Sequence, residues 1–109
     1  MAYAYKVLGQ SAPSATTNTD VYTVPSATEA IISSITVCNR TGSPVTYRVA
    51  VRPNGATLAN QHYLAYDVTV NGNDTTIMTI GVTINAADVI TCYASAASLS
   101  IGVYGSEIS

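Results

Sequence analysis

Charge is the scarcest commodity in this chain. Lys and Arg number four and Asp and Glu six among 109 residues, 9% in all, where about 25% is ordinary. Four basic residues argue against a nucleic-acid partner, because counterion release needs several phosphate contacts. Arg40, Arg48 and Arg52 do share one short segment, which reads as solvated or ion-paired strand residues. Trp and Phe are absent, and His62 is the only histidine. A lone imidazole cannot build a histidine-based zinc site, and no Cys or carboxylate stands at ligand spacing to assist it. The carboxylates show no calcium-loop spacing, and no GxSxG, Walker A or GxGxxG pattern occurs. As a general base His62 would need a nucleophile and an orienting acid. Asp67 and several hydroxyls are near, but hydroxyls lie near everything in so Ser/Thr-rich a chain. Neither catalysis nor a metal or other cofactor is expected. No apolar run reaches the roughly 18 residues of a membrane span. MAYAYKVLG lacks the basic start and long apolar stretch of a secretory signal.

Thr, Ser and Ala take the place of the missing charge, so the solvent face is expected to be hydroxyl-rich. Such a surface repels copies of itself weakly and suits a component of an assembly. Cys38 and Cys92 each sit in an apolar run. A long-range disulfide is one reading, and buried, reduced thiols in a reducing compartment are the favoured one. Asn39-Arg40-Thr41 and Asn73-Asp74-Thr75 fit the glycosylation sequon and are read as chance matches.

Periodicity of two dominates. TYRVAVR places Val45, Tyr47, Val49 and Val51 on one face and Arg48 and Arg52 on the other. LAYDVTV sends Leu64, Tyr66, Val68 and Val70 inward; TTIMTIGVTI does so with Met78, Ile80, Val82 and Ile84, and SLSIGVYG with Leu99, Ile101 and Val103. The strands expected are Tyr3–Leu8, Asp20–Val24, Ile31–Arg40, Val45–Arg52, His62–Val70, Thr75–Ile84, Val89–Ala94 and Leu99–Tyr104. Residues 40–44 and 71–74 are expected to close hairpins. The fold class is therefore all-β: one domain over residues 1–109, an antiparallel β-sandwich, jelly-roll-like, of about eight strands. Its core should include Val37, Val49, Val51, Tyr66, Val68, Ile80, Val82, Ile101 and Val103. Residues 10–19 form a polar loop, or an arm that orders only on a partner.

RPNGATLANQHYLAYD, from Arg52 to Asp67, looks at first like a catalytic constellation. Proline and glycine sit where a type I turn wants them in Arg52-Pro53-Asn54-Gly55. By the alternation, Arg48, Arg52, Tyr63 and Asp67 all point outward. If the two strands pair, one register sets Arg52 opposite Tyr63 and Arg48 opposite Asp67, giving a cation–π contact and an ion pair. The row then either recognises another subunit or is a solvated pairing within one subunit. Alternatively, the loop carries the second strand to the opposite sheet. Arginine and tyrosine are enriched at interface hot spots, which motivates the first reading. The eight tyrosines also admit a rival function, stacking on sugar rings, although Tyr47 and Tyr66 fall on inward rows.

YKVLGQSAPSATTNTDVYTVP, ITVCNR, TYRVAVRPNGATLANQHYLAYD and the GSEIS end together resemble a group of small structural proteins of marine tailed bacteriophages, cyanophages among them. AVRPNGATLANQHYLAYD is the most specific segment, and the resemblance spans nearly the whole chain. It implies a virion protein assembled in the host cytoplasm, used in many copies as a β-sandwich. Its partners would be copies of itself and other virion proteins. Capsid decoration, a neck or tail ring, and a fibre or baseplate adaptor are all compatible; a receptor- or glycan-binding module at the tail tip is the alternative. The resemblance supplies no catalytic residues.

Overall fold

The computed structural model describes residues 2–109. Eight strands follow in order: β1 (Tyr3–Ser11), β2 (Thr19–Thr23), β3 (Glu29–Asn39), β4 (Val45–Arg52), β5 (Tyr63–Val70), β6 (Thr75–Ile84), β7 (Val89–Ala94) and β8 (Leu99–Ile108). Two 3-10 turns, Pro53–Gly55 and Asn60–His62, lie between β4 and β5, and no α-helix occurs among the described residues. The strands form two four-stranded sheets, ordered β1-β8-β3-β6 and β2-β7-β4-β5. Every pairing is antiparallel. This is the expected sandwich, with jelly-roll connectivity.

Each link except β4–β5 crosses from one sheet to the other. Residues 40–44 and 71–74 therefore close no hairpins. They are neighbouring crossings, packed so tightly that a Cβ on Gly72 would collide with the Gly42 backbone. Asn39 explains why. It is buried, and its Nδ2 donates to the carbonyls of Ser43 (2.8 Å), Val70 (3.2 Å) and Asn71 (3.3 Å) while Oδ1 accepts from Thr41 N–H (3.0 Å). One amide thus meets the backbone needs of both crossings, as a buried polar group must. Turn-type residues announced a reversal of direction; they carried no information about which sheet the chain entered next.

Alternation places the core as expected on β4, β6 and β8. Ile32, Ile35, Val37, Tyr47, Val49 and Val103 are fully buried, and Val51, Ile80 and Val82 pack half-buried against them. Burying each of the fully buried side chains contributes about 1.5–3 kcal/mol. Tyr66 and Val68 do not belong to the core; both are exposed. Nor are both cysteines buried. Cys92 points into the sandwich, Cys38 is half-buried on the outer face of its sheet, and both are free thiols.

Residues 10–19, expected as a polar loop or an arm, make contacts with their own chain. Gln10 and Ser11 extend β1, Pro13 is buried, and Ala15 bridges Ala94 beside a 2.8 Å bond from Thr16 N–H to the Ala94 carbonyl. β8 likewise runs past Tyr104 to Ile108, because ladder pairing with β1 and β3 continues where apolar alternation has stopped.

Candidate functional site

The outer face of the sheet β2-β7-β4-β5 carries two ion pairs, Arg48–Asp67 and Arg52–Asp20. β4 and β5 pair in this sheet, beginning in the expected register with Val45 opposite Val70, Thr46 opposite Thr69 and Tyr47 opposite Val68. The next step is a bulge. Val49 faces Ala65, so Tyr66 and Asp67 together oppose Arg48. Asp67 takes the left-handed conformation that makes this possible, with φ 52, a region Asp enters more readily than most residues. One extra residue reverses the alternation. Ala65 turns inward, while Leu64 and Tyr66, both expected on the inward row, turn out to solvent.

Two side chains are thereby delivered to one guanidinium. Asp67 accepts from Arg48 Nε at 2.6 Å and from Nη2 at 3.3 Å. The Tyr66 ring lies 4.1 Å from Arg48 Cζ, and the Tyr93 ring of β7 lies 4.3 Å away. Tyr63 meets Tyr66 edge-on with centroids 4.9 Å apart. Hydrogen bonding to Asp67 holds the Arg48 pKa above its already high ordinary value. The result is a stack of arginine and tyrosine, of which Tyr66 remains 56% exposed.

Arg52 is not opposite Tyr63. A second register shift sets Tyr63 against Ala50. Arg52 reaches the other way, across β7 to β2: Nε donates to Thr91 Oγ1 (2.9 Å) and Nη2 to Asp20 Oδ1 (2.9 Å), which also accepts from Thr91 Oγ1 (2.9 Å). Its Nη1 holds the carbonyls of Gly55 and Ala56 at 3.2 and 3.0 Å. The turn they belong to is not type I. Asn54 and Gly55 have φ 53 and 67, and Ala56 N–H donates to the Pro53 carbonyl at 3.0 Å, the geometry of an Asn-Gly type I′ turn. His62 closes the far end of the loop, where its Nδ1 accepts from Ala59 N–H at 3.0 Å. Its place is that of a loop-end residue.

All four residues of the expected row therefore share one sheet face, with the Arg48–Asp67 pair as foreseen. Tyr66, Tyr93, Asp20 and Thr91 complete it. Tyr93 and Asp20 carried no local signal, because nothing in sequence says that β7 and β2 lie beside β4. Tyr66 was assigned to the wrong face because a bulge is invisible to period-two counting.

A second polar cluster joins the sheets. The Tyr22 hydroxyl donates to Glu107 Oε2 at 2.6 Å, and Lys6 Nζ lies 2.6 Å from Glu107 Oε1. Bonds from Lys6 and Tyr22 hold the Glu107 carboxyl below the usual range; burial, then Glu107, push the Tyr22 phenol up. Asn39, within the first sequon, is buried and fully engaged, so it is closed to modification in the folded chain.

No protein-family model, curated protein or solved structure matches the chain. The fold alone does not select a function.

Proposed function

We propose that the chain is a structural subunit of a tailed-phage virion, used on the capsid, neck or tail surface in many copies and acting through protein–protein contacts. The observation that carries this reading is the Tyr93–Arg48–Tyr66 stack. Arginine and tyrosine concentrate binding energy at interfaces because each buries a large area and keeps a directed polar contact. Here the bulge at Asp67 presents them already ordered, so little side-chain entropy remains to be lost on docking. The jelly-roll architecture and the family resemblance of the sequence support the same reading.

The test is to find the chain on particles. Purified virions should contain it in many copies per particle, and a particle reconstruction should place the β4–β5 face against a neighbouring subunit. Tyr66→Ala, which removes the exposed ring, should lower particle occupancy at least tenfold while the isolated domain folds as before. Absence from purified particles would overturn the proposal.

The exposed ring of Tyr66 beside Asp67 favours one second reading, a receptor- or glycan-binding module. Saturable binding on a glycan array, abolished by Tyr66→Ala, would select it.

A further inference from the structure

A sandwich of two open sheets has four edge strands, here β1, β6, β2 and β5. An unpaired edge invites another strand unless it is shortened, bulged or charged. β2 is only five residues long and is irregular between Asp20 and Tyr22. β5 is bulged twice. β6 shifts register opposite Ile32/Ser34 and offers mainly threonines, with Ile77 its one exposed large side chain.

β1 is neither short nor bulged between Tyr3 and Val7, where five successive residues pair with β8 without a shift. Tyr3, Tyr5 and Val7 are 61%, 84% and 51% exposed. The backbone shows which way their peptide groups face. Ala2 and Ser109 exchange both hydrogen bonds, at 2.6 and 2.9 Å. Antiparallel ladders alternate, so Ala4 and Lys6 also bond to β8, and the N–H and C=O groups of Tyr3, Tyr5 and Val7 point to the free edge. The same three residues thus present the unpaired backbone and the exposed apolar side chains. The only charge in the segment, Lys6, is already neutralised by Glu107 at 2.6 Å.

We infer that the Tyr3–Val7 edge pairs antiparallel with the same edge of a second copy, about a two-fold axis at Tyr5. The inference rests on the assembly reading above and names one of its contacts. A second copy fits because the register is self-complementary. Tyr5 faces Tyr5 of the partner subunit, and Tyr3 faces Val7 of the partner subunit, so each facing pair exchanges two bonds, about six in all. Aromatic side chains meet aromatic or β-branched ones, a favourable cross-strand combination. Lys6 falls opposite Ala4 of the partner subunit, so no like charges meet. The pairing is isologous and closes as a dimer, whereas β1 against β6 would be head-to-tail and build open chains.

Tyr5→Pro is the direct test, since it deletes a donor on the free edge and leaves the β8 ladder intact. Sedimentation of the purified full chain should give at least twice the 11.3 kDa chain mass for wild type. The variant should dissociate at concentrations at least tenfold higher than wild type, with circular dichroism unchanged. Tyr5→Lys, which keeps the donor but sets two ammonium groups across the axis, should do the same. Tyr5→Cys in a Cys38→Ser background should form a covalent dimer under mild oxidation. Wild-type self-association in Tyr5→Lys with no cross-link in Tyr5→Cys overturns the inference, as does growth into long polymers blocked by changes in β6. A chain that dimerises through Tyr5 yet is missing from particles overturns only the virion reading. A chain found on particles whose Tyr5 variants associate and attach like wild type overturns only the edge pairing.

Discussion

The phenol of Tyr22, on the edge strand β2 of one sheet, donates a 2.6 Å hydrogen bond to Glu107 on the inner strand β8 of the other. It is a polar tie between the two sheets. Tyr22→Phe leaves the carboxylate short of a donor and should cost about 1–3 kcal/mol, the range for a bond to a charged group. Urea unfolding of the two proteins at neutral pH measures it; equal midpoints would contradict the assignment.

Glu107 also gives stability a direction in pH. Lys6 and Tyr22 hold its carboxyl below the ordinary value of 4.5, so the unfolded chain takes up the proton first as pH falls. The contribution is complete above the unfolded-state value and is lost as pH drops through the folded one. Tyr22 acts at the other end. Its phenol is raised above 10.0, so the unfolded chain loses that proton first and stability declines as pH rises past about 10. Glu107→Gln should flatten the acid limb of a stability–pH profile and bring the Tyr22 phenol closer to its ordinary value. An unchanged acid limb would count against the cluster.

The bulge at Asp67 predicts an unusual substitution pattern. Asp67→Gly keeps the positive φ and loses only an exposed ion pair, so it should stay within about 1 kcal/mol of wild type. Asp67→Val places a β-branched residue in the left-handed region and should lose about 2 kcal/mol or more. A regular strand at this position would reverse the order, since valine is the better strand former.

The thiols should separate cleanly. Burial and, secondarily, Asp20 push Cys92 up to about 12, leaving almost no thiolate near neutrality. Cys38 lies half-buried in an open groove with Thr36, Ser100 and Tyr104. A thiol reagent should modify one cysteine per native chain and two after unfolding, and Cys38→Ser should abolish the native reaction. Native modification of Cys92 at a similar rate would refute its burial.

Two glycines make a matched pair. A Cβ at Gly105 would strike the Ile31 carbonyl, whereas one at Gly81 meets nothing within 4 Å. Gly105→Ala should cost about 1–3 kcal/mol by overpacking. Gly81→Ala should be neutral or stabilise by about 0.4–1 kcal/mol, through the entropy of the unfolded chain. Thermal unfolding of both variants checks the contrast.

Sequence by itself determined the fold class, the number of strands and the inward rows of β4, β6 and β8, because alternation and turn chemistry are local and each residue carries its own vote. It offered Arg48 opposite Asp67 as one register if the two strands pair, and that register holds from Val45–Val70 to Tyr47–Val68 before the bulge. Tertiary structure decided the rest. Whether a turn returns to the same sheet or crosses to the other depends on what the next strand can bury against, and Asn39 ties two of the crossings through the distant carbonyls of Val70 and Asn71. The face shown by Tyr66 depends on one left-handed residue, whose cost is met by the contacts Asp67 and Tyr66 make with Arg48. Arg52 turned from Tyr63 to Asp20 because β7 brings β2 within reach. Each of these outcomes is a competition between local preference and distant partners, and only the folded chain brings those partners together.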